Sequence, residues 1–120
     1  MSVYVNRSTM TLVAAADLTA KQFNAVKIDS NGQAALAVLG DAIAGVLLNN
    51  PAAGQSATIQ LSGVTKGKAG GTIAAGAAVT PNASGVFIAA TTGNYIAGYA
   101  KEAAVSGDTF AILLKQNGKF

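Results

Sequence analysis

The sequence predicts an all-β protein, a small β-barrel or β-sandwich built from two similar β-units at residues 25–61 and 78–114. Apolar and polar residues alternate within the units, as they do in strands with one buried face. Turn signals recur roughly every eight to twelve residues. The two units align without a gap at a constant offset of 53 residues, which superimposes four pairs of glycines: Gly32 on Gly85, Gly40 on Gly93, Gly45 on Gly98 and Gly54 on Gly107. Glycines and core positions repeat, while charged residues do not. The repeat therefore preserves the course of the backbone and does not preserve a set of reactive side chains.

Residues 56–61 form the clearest predicted strand, with small or apolar side chains on one face and polar side chains on the other. The equivalent strand of the second unit turns Leu113 outward, so that unit is expected to face a neighbour where the first unit faces water. The inward residues of these two strands are Ala57, Ile59, Leu61, Phe110, Ile112 and Leu114. Further strands are predicted at residues 25–28, 33–38, 42–48, 77–80, 86–89 and 95–100.

Tight hairpin turns are predicted at residues 29–32 and 82–85, where short polar residues end in a glycine that can adopt positive φ. Longer turns are predicted at the equivalent residues 50–54 and 103–108. The matching positions of these turns support the internal repeat.

Two segments of the single domain, residues 1–120, lie outside the predicted repeat. Residues 1–24 are expected to form an N-terminal arm, with a short helical turn at residues 17–23 that Asp17 caps. Val3 and Val5 in this arm alternate as in an edge strand, or as in an arm that adds to another subunit's sheet. Residues 62–77 are predicted to connect the units, with a mobile loop at residues 66–71; the second unit and its tail extend to residue 116.

The composition is typical of a protein that binds other protein subunits. Half of the residues (51%) are hydrophobic, but many are alanine, so one subunit buries little large apolar surface and self-association is expected. Charged residues make up 11% of the chain, against about 25% in typical domains. The net charge of +3 comes from scattered lysines. Nucleic-acid binding is therefore not expected, since it needs clustered cations.

No catalytic, cofactor-binding or metal-binding residue is predicted, and the protein is not expected to be an enzyme. The chain has no His and no Cys, which removes the commonest general base and the commonest metal ligands. Residues 63–69 look like a phosphate loop but fail, because Ala69 stands where a Ser or Thr would hold magnesium. Lys66 and Lys68 lie between the units rather than at a hairpin tip, as a biotinyl or lipoyl carrier requires. No signal peptide or membrane span is visible.

Tyr95 and Tyr99 leave two interpretations open. They replace Ala42 and Val46 of the first unit and would share one face of a strand. They either fill the core or contact another subunit, since tyrosine is enriched at interfaces.

Five runs of residues stand at 16–23, 26–29, 44–54, 62–66 and 96–104. In their order and spacing they resemble the small capsid decoration, or cement, proteins of tailed bacteriophages. This family was formerly a domain of unknown function and is sometimes labelled recombinase-like. The recombinase label has no support here, because the phosphate loop fails. The resemblance spans roughly residues 14–116.

The resemblance implies a β-barrel or sandwich subunit that assembles as a homotrimer on the exterior of an expanded capsid. It implies that the partner is the major capsid protein, whose neighbouring subunits are clamped together, and that there is no enzyme activity and no cofactor. The alternative is another virion or surface β-module, such as a tail, fibre-base or adhesive domain. A small enzyme or carrier domain is a further alternative from a different class.

Overall fold

The computed structural model describes residues 8–116 and residue 118, and in these residues all regular structure is β. The all-β prediction is therefore confirmed. The described residues contain no helix that is long and apolar enough to cross a membrane. The strands are β1 (Ser8–Val13), β2 (Ala25–Ile28), β3 (Ala34–Leu36), β4 (Gly45–Leu47), β5 (Ser56–Lys68), β6 (Ala78–Pro81), β7 (Phe87–Ala89), β8 (Gly98–Ala100) and β9 (Thr109–Leu114).

Strand β5 is 13 residues long and belongs to two curled antiparallel sheets. Its first half lies between β1 and β4, in a sheet with the order β3-β2-β4-β5-β1. Its second half pairs with β9, in a sheet with the order β7-β6-β8-β9-β5. One continuous strand thus joins the two halves of the molecule.

The register of the strand pairs repeats at the offset that the sequence predicts. Val26 pairs with Leu36 in the first sheet, and Val79 pairs with Ala89 in the second. The β2–β4 and β4–β5 pairs are repeated in the same way by β6–β8 and β8–β9. The duplicated sequence therefore folds into a duplicated backbone.

The structural repeat begins earlier than the sequence alignment indicates. Strand β1 is equivalent to the second half of β5, because Ala14 forms a parallel bridge to Ala34 and Ala69 forms the same bridge to Phe87. In the first unit the bridge joins the end of β1 to β3, and in the second unit it joins the end of β5 to β7. Each sheet therefore curls towards closure, as in a small barrel. We refer below to residues 8–61 as the first unit and to residues 62–114 as the second unit.

Each unit has a core of seven equivalent buried side chains. Three of these positions differ in size, because two alanines of the first unit become phenylalanines in the second and one leucine becomes alanine. Such exchanges keep a core filled while the residues change. The seven are Ala14, Leu18, Val26, Ala34, Leu47, Ala57 and Ile59 in the first unit, and Ala69, Ile73, Val79, Phe87, Ala100, Phe110 and Ile112 in the second.

The predicted helical turn at residues 17–23 was wrong. These residues form turns, in which Ala20 and Phe23 have positive φ values of 65° and 71° that a right-handed helix cannot contain. Asp17 caps a local turn, since its Oδ1 accepts hydrogen bonds from the backbone N (3.1 Å) and the Oγ1 (2.7 Å) of Thr19.

The prediction of a mobile loop at residues 66–71 was wrong for residues 66–68. These residues belong to β5, which continues to Lys68 and pairs with β9. Residues 8–13 of the predicted arm pair with β5 of the same chain. Val3 and Val5 lie outside the described residues, so the arm that they would form stays a prediction.

Candidate interaction surfaces

The first unit presents its outer face to the second unit. Ala25, Ala37, Ile43 and Val46 point away from the core of their own unit and belong to the hydrophobic cluster of the second. Along the register, Ala25 lies beside Val46, and Val46 lies beside Gln60. All three of these side chains are almost completely buried. The two units therefore share one continuous apolar interface.

The hairpin turn at residues 82–85 carries the polar contacts of this interface. The Gly85 carbonyl accepts a hydrogen bond from the Ala25 N–H at 2.7 Å, and the Ser84 carbonyl accepts one from Asn24 Nδ2 at 3.2 Å. A Cβ built on Gly85 would lie 3.1 Å from Leu36 Cδ2. The turn is thus seated closely against β2 and β3 of the first unit.

A second contact is made by Gly40, which follows β3. Its N–H donates to the Pro81 carbonyl at 3.0 Å, and its carbonyl accepts from the Tyr95 N–H at 3.1 Å. Tyr95 precedes β8, so the prediction that Tyr95 and Tyr99 share a strand was wrong. Tyr95 is 40% exposed and Tyr99 is half-buried, and neither belongs to a core cluster of the described residues. Contact with another subunit stays a prediction for both.

The interface between the units is one-sided. The first unit has the same turn at residues 29–32, held by the same type of side-chain contact: Asp29 Oδ1 accepts from Asn31 N and Gln33 N, both at 2.9 Å. Gly32 has φ 75° where Gly85 has φ 80°, but a Cβ on Gly32 would meet nothing within 4 Å. The turn at residues 29–32 therefore projects from the molecule, whereas its equivalent is docked.

The second unit has an equivalent outer face, and this face is partly exposed. Leu113 is equivalent to Gln60 and lies beside Tyr99 on β8 and Val64 on β5. Leu113 is 42% exposed and Val64 is 50% exposed, while Gln60 is 1% exposed. The outward direction predicted for Leu113 is therefore confirmed, but the expectation that the first unit faces water at the equivalent position was wrong, because Gln60 is buried against the second unit. The three side chains Tyr99, Leu113 and Val64 form an apolar row across three strands, which we call the open row.

All the acidic residues of the chain serve as backbone caps. Four of the five carboxylates have an amide side chain at the equivalent position of the other unit, and both side chains of each pair make the same bond. For example, Asp41 Oδ2 accepts from Val38 N at 3.4 Å, and Asn94 Oδ1 accepts from Thr91 N at 2.9 Å. The four equivalent pairs are Asp29 and Asn82, Asp41 and Asn94, Glu102 and Asn49, and Asp108 and Gln55. An amide can replace each carboxylate, so the role does not require charge.

Among the charged groups that the structure describes, there is a partly exposed ion pair and no cluster that could hold a metal ion. Lys27 Nζ lies 3.1 Å from Asp41 Oδ2, but both side chains are about one-third exposed, so this ion pair adds little stability. The hydrogen bonds from Thr19 hold the pKa of Asp17 below its usual value. Within residues 8–116 and 118, no group of three or more His, Cys, Asp or Glu residues is placed to hold a metal ion.

A cleft of about 400 Å³ lies where β5 passes between the units. Its volume falls in the low range for small-molecule sites. The Gln60 side chain is already used, since its Nε2 donates to the carbonyls of Ser62 (2.9 Å) and Val64 (3.1 Å). Phe23, Leu48, Gln60, Val64, Thr65, Lys66 and Ala111 line the cleft.

Comparison with known proteins identifies related folds and one family. A family model described as phage cement protein matches residues 5–116, which include every strand of the structure. A solved structure described as the head fibre gp8.5 N base of bacteriophage phi29 is similar, with a TM-score of 0.73 and 17% sequence identity, over 95% of this chain and 98% of that chain. A search of the curated proteins finds no match.

Proposed function

The chain belongs to the phage cement protein family, and from this premise we propose that it binds the outside of an expanded phage capsid and stabilises the contacts between major capsid protein subunits. It is a structural protein of the phage virion, located on the capsid exterior. The observation that carries the proposal is the family match over residues 5–116, which covers both β-units together with their shared strand.

The side-chain chemistry supports a role in binding rather than catalysis. The acidic side chains are engaged as caps on backbone N–H groups, and Gln60 in the cleft between the units donates to two backbone carbonyls. A protein that decorates a shell acts through many copies, so that modest contacts per copy add up to a large effect per particle. We therefore assign the protein no enzymatic activity and no cofactor.

Self-association as a homotrimer is part of this proposal. The open row exposes apolar side chains on a folded sheet, and such patches are typical of surfaces that meet protein. The low proportion of charged residues, 11%, fits the same role, because charges are depleted at the centre of interfaces.

The experiment that tests the proposal is co-sedimentation of the purified protein with expanded, undecorated capsids from the same source. Unexpanded shells of the same major capsid protein are the matched control. We expect saturable binding to expanded capsids at a fixed ratio to the major capsid protein, and weaker binding to unexpanded shells. The decorated particles should also release their DNA at a higher temperature than the undecorated ones. Binding without any rise in that temperature would contradict the stabilising role.

A second candidate function is a module at the base of a head fibre, or another tail or adhesive part of the virion. The observation that favours it is the likeness in fold to the phi29 head fibre base over nearly the whole chain. Such a module would bind a few sites per particle or a receptor, without raising the temperature of DNA release. Counting bound copies per capsid in the same co-sedimentation experiment separates the two candidates.

A further inference from the structure

The internal interface shows what binds to the outer face of a β-unit. In the first unit, the row Ala25, Val46 and Gln60 is covered by the second unit, whose turn at residues 82–85 is seated beside it. In the second unit, the equivalent row Ala78, Tyr99 and Leu113 has the same register; Ala78 is buried, Tyr99 is half-buried and Leu113 is 42% exposed. Within the described residues, the interface is thus formed once, and the surfaces that would form it again are the turn at residues 29–32 and the exposed part of this row.

The turn of the first unit keeps the conformation of its docked equivalent, and the facing row of the second unit exposes Leu113. The exposed turn at residues 29–32 has the backbone conformation of the docked turn, with a positive φ at its glycine and the same caps from Asp29 as from Asn82. Beside it, Ile28 is 50% exposed, whereas its equivalent Pro81 is buried against Gly40. On the other side, Leu113 replaces a buried glutamine with an apolar side chain.

We propose that the second unit of one copy binds the turn at residues 29–32 of another copy, and that this contact repeats the internal interface between chains. This inference rests on the self-association in the proposed function. It specifies which surfaces meet and the polarity of the contact, that is, which surface of one copy meets which surface of the next. The contact is heterologous, because different surfaces of the two copies meet. Repeated heterologous contacts close into a ring when the rotation allows it. A homotrimer of this kind would place six β-units around one ring.

Engineered cysteines test the polarity of the contact, and the chain has no native Cys to interfere. Asn31 is equivalent to Ser84, and Ala77 is equivalent to Asn24; within the chain, Asn24 Nδ2 and the Ser84 carbonyl lie 3.2 Å apart. We expect a mixture of the Asn31→Cys and Ala77→Cys variants to form a covalent dimer with a short bis-maleimide. Each variant alone should form little. Equal dimer yields from the single variants, or no dimer from the mixture, would overturn the proposal.

A surface variant tests the open row without disturbing the core. Leu113→Lys places a charged side chain in the proposed contact, and we expect self-association about tenfold weaker or more, since the charge would be buried without a partner. Val105→Lys is the matched control: Val105 is 55% exposed and lies in the turn at the other end of β9. Sedimentation equilibrium over a range of concentrations measures both variants. A monomeric parent protein at high concentration, or equal dissociation constants for Leu113→Lys and the parent, would overturn the inference.

Failure of this inference can be distinguished from failure of the proposed function. If the cross-link fails while the protein still binds and stabilises capsids, the polarity assigned here is wrong and the cement role stands. If the cross-linked oligomer forms but does not sediment with capsids, the contact is right and the proposed function is wrong.

Discussion

Gln60 and Leu113 occupy equivalent positions in the two β-units, and only Gln60 is buried. Gln60 pairs with Val46 on β4, and Leu113 pairs with Tyr99 on β8, so the two side chains have the same place in the same register. Their exposures, 1% and 42%, differ because the second unit packs against the outer face of the first, while the described residues leave Leu113 partly exposed. Burial alone would favour leucine at the buried position and glutamine at the exposed one, and the protein has the opposite arrangement. The face around Leu113 is therefore a candidate for contact with another protein.

Gly85 and Gly32 should respond differently to substitution by alanine. Both have positive φ, so each variant should lose about 1 kcal/mol of stability from backbone strain. Gly85→Ala should cost about 1 kcal/mol more, since its Cβ would crowd Leu36 Cδ2 (3.1 Å) and the Ala25 carbonyl oxygen (3.3 Å). Denaturant unfolding at low protein concentration measures the two values. Equal losses would show that the docked turn is not confined as the structure indicates.

Gly45 and Gly98 should not tolerate any side chain. Each lies on a central strand, where a Cβ would overlap the backbone carbonyl of the next strand, at Gln60 and Leu113 respectively. We expect Gly45→Ala and Gly98→Ala each to cost about 3 kcal/mol or more, because backbone must move. Gly71→Ala is the control, since its Cβ would make an ordinary contact of 3.8 Å with Ile88. Thermal unfolding that is unchanged in the Gly45 variant would contradict the pairing of β4 with β5.

Asp29 should be replaceable by asparagine but not by alanine. Its Oδ1 accepts two backbone hydrogen bonds at 2.9 Å, and Asn82 accepts the equivalent pair with an amide oxygen. We expect Asp29→Asn to change the free energy of unfolding by less than about 0.5 kcal/mol, and Asp29→Ala to cost about 1 kcal/mol. Denaturant titrations of both variants check this. A large loss in Asp29→Asn would show that the charge has a role beyond capping.

Removal of residues 1–14 should unfold the protein rather than merely weaken its assembly. This deletion removes β1, which covers one edge of β5, and Ala14, which is buried in the first core. If residues 1–14 acted only between subunits, the truncated protein would instead stay folded as a monomer. Removal of residues 1–7 is the matched control, because it leaves β1 complete. Circular dichroism and unfolding curves of the two truncations decide between these outcomes; a folded protein that lacks residues 1–14 would contradict the role of β1 described here.

The strands and tight turns were largely predictable, because each leaves a local pattern. Alternation in residues 56–61 identified the start of β5, and polar residues before Gly32 and Gly85 identified two turns with positive φ. The continuation of β5 to Lys68 was missed, since two lysines and two glycines there are typical of a loop. Pairing with β9 stabilises this strand, and that partner lies more than 40 residues away, at Thr109–Leu114.

The sequence by itself determined the β class, the two equivalent units, the absence of His and Cys chemistry and the resemblance to phage cement proteins. These follow from periodicity, glycine positions and composition, which act locally or on the chain as a whole. Only the tertiary structure decided where each repeat begins, which outer face is covered and which turn is docked. A strand pattern distinguishes two faces but does not say what packs on each, because burial depends on residues that are distant in the chain. For that reason Gln60 is buried and Leu113 is exposed at the same position of the same fold.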